Sequence, residues 1–248
     1  MQFSNMTSDT PLYKVVQRRI LEALTRGKWK PGERLPSEAE LSDQLGVSVS
    51  TLRAGVSELA AAGVLVRRQG KGTFVAQHHR EGPQFRFSNI HDQFGKKVRT
   101  TREITAMRRV RADLGTMKLL MSDLSNPPQV HLIDAFLKID GKPLAVLELI
   151  LPCTLFPKLK QQDFDHSNEN LYALYQSRYG ITVLRMEERV SARTADRKTA
   201  KILGLALGHP LLLVERVAYS FNNQPVEIRR RMYEGLAHHY LFTHESLD

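Results

Sequence analysis

The chain has 248 residues, 42% of them hydrophobic, with a formal net charge of +10 and a pI near 9.8. That length suits one large or two smaller domains with packed cores, and the basic excess points to an anionic partner. A single cysteine, Cys153, excludes an internal disulfide and fits a reducing cytoplasm, and no apolar run reaches membrane-spanning length.

Residues 1–10, MQFSNMTSDT, have no basic stretch leading into an apolar core, which speaks against secretion; they read as a loose polar arm. Residues 12–25 predict a helix, because Leu12, Val15, Val16, Ile20, Ala23 and Leu24 recur at helical spacing before Gly27. Lys28-Trp29-Lys30-Pro31-Gly32 predicts a turn, with Trp29 plugging the core of a small domain rather than stacking on a base.

Residues 36–75 carry the densest pattern. Ser37 and Glu40 form an S-x-x-E capping box, Leu41 and Leu45 repeat one turn apart, and Gly46 stops the helix. Ser48 is the N-cap of a further helix whose stripe is Leu52, Val56 and Leu59, followed by Ala60, Ala61, Ala62 and Gly63. Two short helices joined by a tight glycine turn predict a helix-turn-helix. Val64-Leu65-Val66 and Thr73-Phe74-Val75 predict strands around Gln69-Gly70-Lys71-Gly72, a basic hairpin serving as a wing. Ser48, Val49, Ser50, Thr51 and Arg53 fill the start of the second helix, the end that enters the major groove in such proteins. Serine and threonine hydroxyls suit phosphate oxygens, and Ser48 serves as cap and phosphate ligand at once. Arg53 can hold a guanine edge with two donors or clamp a phosphate.

Leu12-Tyr13, Lys30-Pro31-Gly32, Leu35-Pro36-Ser37-Glu38, Leu41, Val47-Ser48, Leu52-Arg53 and the run from Arg68 to Val75 resemble the winged-helix domain of GntR-type bacterial transcription regulators. The resemblance runs from Pro11 to Val75 without a gap and implies double-stranded DNA as partner. It places Ser50, Thr51, Arg53, Gly70 and Lys71 at DNA-contacting positions. With their neighbours Ser37, Ser48, Arg67, Arg68, Gln69, Gly72 and Thr73 they make the candidate DNA-binding set. For Arg67 and Lys71 a solvated hairpin tip is the alternative. Ala39 and Val49 stand where relatives often carry arginine, which implies a different operator preference, with Val49 able to touch a thymine methyl.

Residues 77–88 predict a linker, polar and basic and broken by Gly82-Pro83. His78-His79, and His238-His239 with His244, lack the spacing of a metal site, so no metal is expected. Beyond the linker lies an internal repeat. The spacing from Pro128 to Pro143 equals that from Pro210 to Pro225, and each pair brackets a strand, a turn (Asp140-Gly141 or Asn222-Asn223) and the start of a second strand. Helices are predicted before the hairpins at 112–124 and 195–205, with strands before those at 102–110 and 187–193. Two strand–helix–hairpin units build an antiparallel sheet with helices, an α+β domain over 89–248 that follows a DNA-binding domain over 1–76. A further helix is predicted over 167–179, with a short excursion at 159–164.

This half is similar to the ligand-sensing UTRA domain of the HutC-like branch of the GntR family. The likeness rests on Asp140-Gly141-Lys142-Pro143, Leu151-Pro152, Leu171-Tyr172, Tyr179-Gly180-Ile181, Leu203, His209-Pro210-Leu211, Glu215-Arg216 and Gln224-Pro225-Val226-Glu227. It implies a chorismate-lyase-like fold that binds a small effector without turning it over. By family position the effector-binding candidates are Glu148, Glu227 and Tyr233, with Thr101 and Arg102 from the entry loop and Ser191 and Arg193 from the middle strand. Many relatives hold a sugar phosphate with two arginines where this chain has Ala135 and Leu137. Arg229 and Arg231 share a strand face with Glu227 by two-residue alternation. They either clamp an anionic organic acid or form a solvated edge strand.

The expected protein is a homodimeric repressor, with no cofactor, released from a palindromic operator by a metabolite; its recognition helices lie ~34–36 Å apart. A ligand-responsive activator and a lyase-like enzyme are the alternatives. Against the enzyme, there is no glycine-rich phosphate loop and no G-x-S-x-G elbow, and Cys153 reads as packing.

Overall fold

The computed structural model describes residues 11–76, 90–96, 98, 100–164, 171–236 and 238–241. The chain divides into compact units at Met1–His78 and His79–Asp248. The predicted linker, His78-His79, His244 and the first residues of the helix expected from 167 lie outside the described residues.

In the first unit, α1 (Leu12–Thr25), α2 (Glu38–Leu45) and α3 (Val49–Ala61) precede a hairpin of β1 (Leu65–Arg68) and β2 (Gly72–Val75). The predicted capping box is formed: Glu40 N donates to Ser37 Oγ at 3.3 Å, and Ser37 N donates to Glu40 Oε2 at 2.8 Å. Apolar stripes converge on a core of Val16, Ile20, Leu41, Leu52, Val56, Leu59 and Leu65, with Trp29 buried as the sequence predicts. The turn before α2 is tied to the wing, because Leu35 N donates to Thr73 O and Val75 N to Glu33 O. Gly55 lies inside α3, where glycine costs roughly 1 kcal/mol against alanine. Its reason is close approach: a Cβ there would stand 2.8 Å from Val16 Cγ1 and 3.0 Å from the Tyr13 carbonyl oxygen.

The second unit is built on a six-stranded antiparallel sheet. Its strands are β4 (Thr101–Arg111), β5 (Gln129–Ile139), β6 (Lys142–Pro152), β7 (Arg185–Thr194), β8 (Pro210–Tyr219) and β9 (Pro225–Glu234), in the order β4-β5-β6-β9-β8-β7. The repeat read from the prolines is therefore a structural one. Two strand–helix–hairpin halves join where β6 pairs with β9, with Glu148 opposite Arg230. Asp140 and Gly141 both take positive φ in the first hairpin turn, as a two-residue primed turn requires. The repeat helices, α4 (Leu114–Leu119) and α6 (Arg197–Leu203), are shorter than predicted. Each is capped by an aspartate: Thr116 N donates to Asp113 at 2.6 Å, and Thr199 N donates to Asp196 at 2.7 Å. Left-handed residues at Met121 and Gly204 follow their ends.

The two sheet faces differ. On one, α4 and α6 pack over Val130, Ile150, Val217, Ile228 and Leu211. On the other, α5 (Leu171–Tyr179) and the 152–164 segment bury Ile133, Leu149, Leu151, Phe156 and Phe164. A two-stranded ribbon of β3 (Ile90–Asp92) and β10 (His238–Tyr240) adds Ile90 to a cluster with Ala145, Val214 and Tyr233. The arginine run of β9 is not a solvated edge. That strand is central, bonded to β6 and β8, and the edges are β4 and β7, whose charged sequences discourage further pairing.

Candidate DNA-reading surface and effector site

The start of α3 gathers hydroxyls. Thr51 N donates to Ser48 Oγ at 3.2 Å, and that oxygen lies 2.9 Å from Ser50 Oγ and 2.8 Å from Thr51 Oγ1. Val49 stands exposed beside them. Ser37 is occupied as the cap of α2, its hydroxyl donating to Glu40 Oε2 at 2.8 Å. Arg53, one turn along α3, donates from Nε to Glu38 Oε2 at 2.5 Å. Arg67 of β1 lies beside it, with Nη2 3.4 Å from the Arg53 carbonyl oxygen and 3.8 Å from Glu38 Oε1. Arg68 stacks over the Phe74 ring, and Gln69, Gly70, Lys71 and Gly72 form an exposed tip. Thr73 is half-buried, its carbonyl held by Leu35. Hydroxyls, a helix N-terminus and four basic side chains thus come from α3 and the hairpin of one small unit, a set suited to phosphates and base edges.

In the second unit one group of buried charged residues lies on the sheet face that α5 covers. Glu227, fully buried, accepts from Tyr175 Oη at 2.6 Å, Arg229 Nη2 at 2.7 Å and Tyr172 Oη at 3.3 Å. Burial pushes its carboxyl up, but Arg229, Tyr175 and Arg216 outweigh burial and hold it below the usual carboxylate range. Burial likewise opposes the Arg229 charge, and Glu227 with the two tyrosines overcomes it. Glu188 accepts from Arg216 Nε at 2.6 Å and Arg231 Nη2 at 2.9 Å, and also from the Tyr240 hydroxyl of the ribbon. Arg102 lies in the same layer over Phe164; burial, then the neighbouring Arg229 charge, lower its pKa to about 10. Arg231 stacks near Tyr233. Arg229 Nε and Arg231 Nε are buried and meet no acceptor among the described residues.

Of the residues read from sequence, Arg102, Glu227, Arg229, Arg231 and Tyr233 share this face. Thr101, Glu148, Ser191 and Arg193 do not. Strand alternation turns them to the opposite face, where Glu148 pairs with Arg230, while Thr101 and Arg193 are exposed on edge strands. Sequence reasoning missed Tyr172, Tyr175, Glu188, Arg216 and Tyr240. Arg216 had a signal, since it alternates with Val214 and Ala218 along β8; Glu188 is brought opposite it only by pairing across strands. Cys153 is half-buried, and burial pushes its thiol up, away from the thiolate a nucleophile needs. His238 lies 3.5 Å from Glu234, and His239 stacks on His91.

Residues 97–239 match the UTRA domain, and residues 12–75 match the family described as bacterial regulatory proteins, gntR family. The chain belongs to the gntR family. It is a DNA-binding transcription regulator with a UTRA domain. It is 30% identical over 232 residues to the probable fructoselysine utilization operon transcriptional repressor of Escherichia coli (strain K12), covering 92% of each chain. The histidine utilization repressor of Pseudomonas putida is 30% identical over 231 residues, covering 92% of this chain and 90% of that one. A solved ligand-binding domain of a putative GntR-family transcriptional regulator from Bordetella bronchiseptica superposes with a TM-score of 0.57 at 27% identity, covering 63% of this chain and 96% of that one. Both units of this gntR-family chain therefore have counterparts among bacterial regulators. Among the described residues no helix is long and apolar enough to cross a membrane.

Proposed function

We propose that this gntR-family protein is a cytoplasmic homodimeric repressor that leaves a palindromic operator when its UTRA unit takes up a small anionic metabolite. The reading of an anion rests on the buried layer beneath α5. Guanidinium groups of Arg102, Arg216, Arg229 and Arg231 share it with the carboxylates of Glu188 and Glu227, and two buried Nε–H donors there, of Arg229 and Arg231, meet no acceptor among the described residues. A ligand carboxylate or phosphate supplies oxygens to those donors. Its differential affinity for two arrangements of the dimer sets the coupling to DNA, typically ~1–3 kcal/mol. No turnover is assigned to this layer, because its ionisable groups are held in ion pairs rather than poised near neutrality.

Titration calorimetry of the full chain against panels of carboxylates, phosphates, neutral sugars and amines tests the effector class. Binding and operator release with an anion are expected, and binding confined to neutral or cationic compounds overturns it. The DNA half is tested by contrast. Arg53→Ala is expected to cost ~1–3 kcal/mol of discrimination at one base pair of a selected operator, while Lys71→Ala weakens all duplexes and reduces the salt slope by about 1. Unchanged sequence preference in Arg53→Ala in a competition gel shift overturns the contact.

A further inference from the structure

Glu38 is an acidic residue on a surface otherwise built to meet phosphate. Its neighbour Glu40 closes the capping box of α2, so the helix start has its carboxylate already. Glu38 reaches the other way, to α3 and β1. It accepts from Arg53 Nε at 2.5 Å and lies 3.8 Å from Arg67 Nη2, which in turn approaches the Arg53 carbonyl oxygen at 3.4 Å. One carboxylate thus joins the first helix of the motif, the recognition helix and the wing strand.

Guanidinium geometry gives this contact a consequence. A planar fork can address a guanine edge either through Nε and one terminal nitrogen or end-on through both terminal nitrogens. With Nε held by Glu38, the end-on fork is what remains to address a base edge. The carboxylate also offsets part of the charge of two arginines that would otherwise bind any phosphate, and sequence-independent affinity for DNA is set by such charges. Weakening the wrong contact while fixing the right one is how specificity is commonly built.

Resting on the DNA-reading assignment above, we propose that Glu38 is a positioning and specificity-determining residue: it holds Arg53 in its end-on orientation and lowers the affinity of the head for non-operator DNA. The signature is a divergence that a merely structural role does not produce. The test begins with an operator selected from a random duplex library by the wild-type full chain. Affinities of wild type, Glu38→Ala, Glu38→Gln, Arg53→Ala and the Glu38→Ala/Arg53→Ala pair are then measured on that operator, on its single-base-pair variants and on random duplex, across salt. In Glu38→Ala, discrimination at the base pair read by Arg53 is expected to fall about tenfold, without adding to the loss in Arg53→Ala. Random-duplex affinity is expected to rise, with a salt slope steeper by about 1. Glu38→Gln keeps the size and an acceptor oxygen, and is expected to fall between the two. A parallel loss on operator and random duplex overturns the proposal, as does full retention of discrimination. A change confined to a different base pair also overturns it, because Glu38 would then be touching a base itself. If the wild-type chain selects no duplex, this role and the DNA-reading assignment fall together; if it selects one and Glu38→Ala reads it unchanged, only this role falls.

Discussion

Glu227→Ala is expected to destabilise the UTRA unit by about 3–5 kcal/mol, the cost of removing one partner from a buried ion pair. The carboxylate is fully enclosed and accepts three bonds, from Tyr172, Tyr175 and Arg229. Alanine leaves the Arg229 guanidinium buried opposite a void, removes the acceptor of the short Tyr175 hydroxyl bond and leaves the Tyr172 hydroxyl with the weaker Met186 Sδ. Most of the loss is the cost of the stranded cation rather than the net worth of the pair, so Glu227→Met/Arg229→Met is expected to recover a large part of it. Urea unfolding of the full chain, followed by tyrosine absorbance, reads the transition of this unit, because Tyr172, Tyr175 and Tyr233 are buried in it. A Glu227→Ala midpoint within error of wild type overturns the ion-pair assignment. The pH dependence has a definite sign. The folded Glu227 pKa lies below its ordinary value, and so does that of Glu188. Their contribution is present in full above the unfolded carboxylate range near ~4.3 and is lost as pH falls through the lower folded values. Stability at pH 3 is therefore expected to drop less in Glu227→Ala, relative to its own value at pH 7, than in wild type.

The same layer shows where sequence reading succeeds and where it stops. Two-residue alternation put Glu227, Arg229 and Arg231 on one face of a strand, and the structure keeps them there. Nothing local to RMEERVSART says that Glu188, rather than Glu187, turns toward those arginines. That follows from the register that sets Glu188 opposite Arg216, a relation between residues 28 apart. Glu148 shows the same limit in reverse: it lies on the expected strand, and its pairing with Arg230 puts it on the other face from Glu227. Tyr172 and Tyr175 look like an ordinary helix stripe until Glu227 is beneath them. The winged helix was more legible because its determinants are local: a capping box, an N-cap serine, glycine stops and a short hairpin all act within a few residues. The Glu38–Arg53 contact crosses from α2 to α3, and it was not legible.

Gly55 is the other feature that only packing explains, and Gly55→Val is expected to cost about 3 kcal/mol, the upper end of the usual range for overpacking. Helix propensity alone predicts the opposite sign, because glycine is the poorer helix former at an interior position. The collision decides. The added Cβ meets Val16 Cγ1 at 2.8 Å and the Tyr13 carbonyl oxygen at 3.0 Å, and a backbone oxygen of α1 has no rotamer into which to retreat. Gly55→Ala brings the same Cβ without the further methyls and regains some propensity, so it is expected to cost about half as much. Separating α1 from α3 also tilts the recognition helix that carries Ser50, Thr51 and Arg53. Operator affinity is therefore expected to fall further than the stability loss alone accounts for. Thermal melts of the winged-helix unit, followed by Trp29 fluorescence, give the first quantity; gel shifts well below the melting temperature give the second. A Gly55→Ala protein that is more stable than wild type and binds operator normally would show that helix propensity outweighs the contact, and that α1 and α3 have room to part.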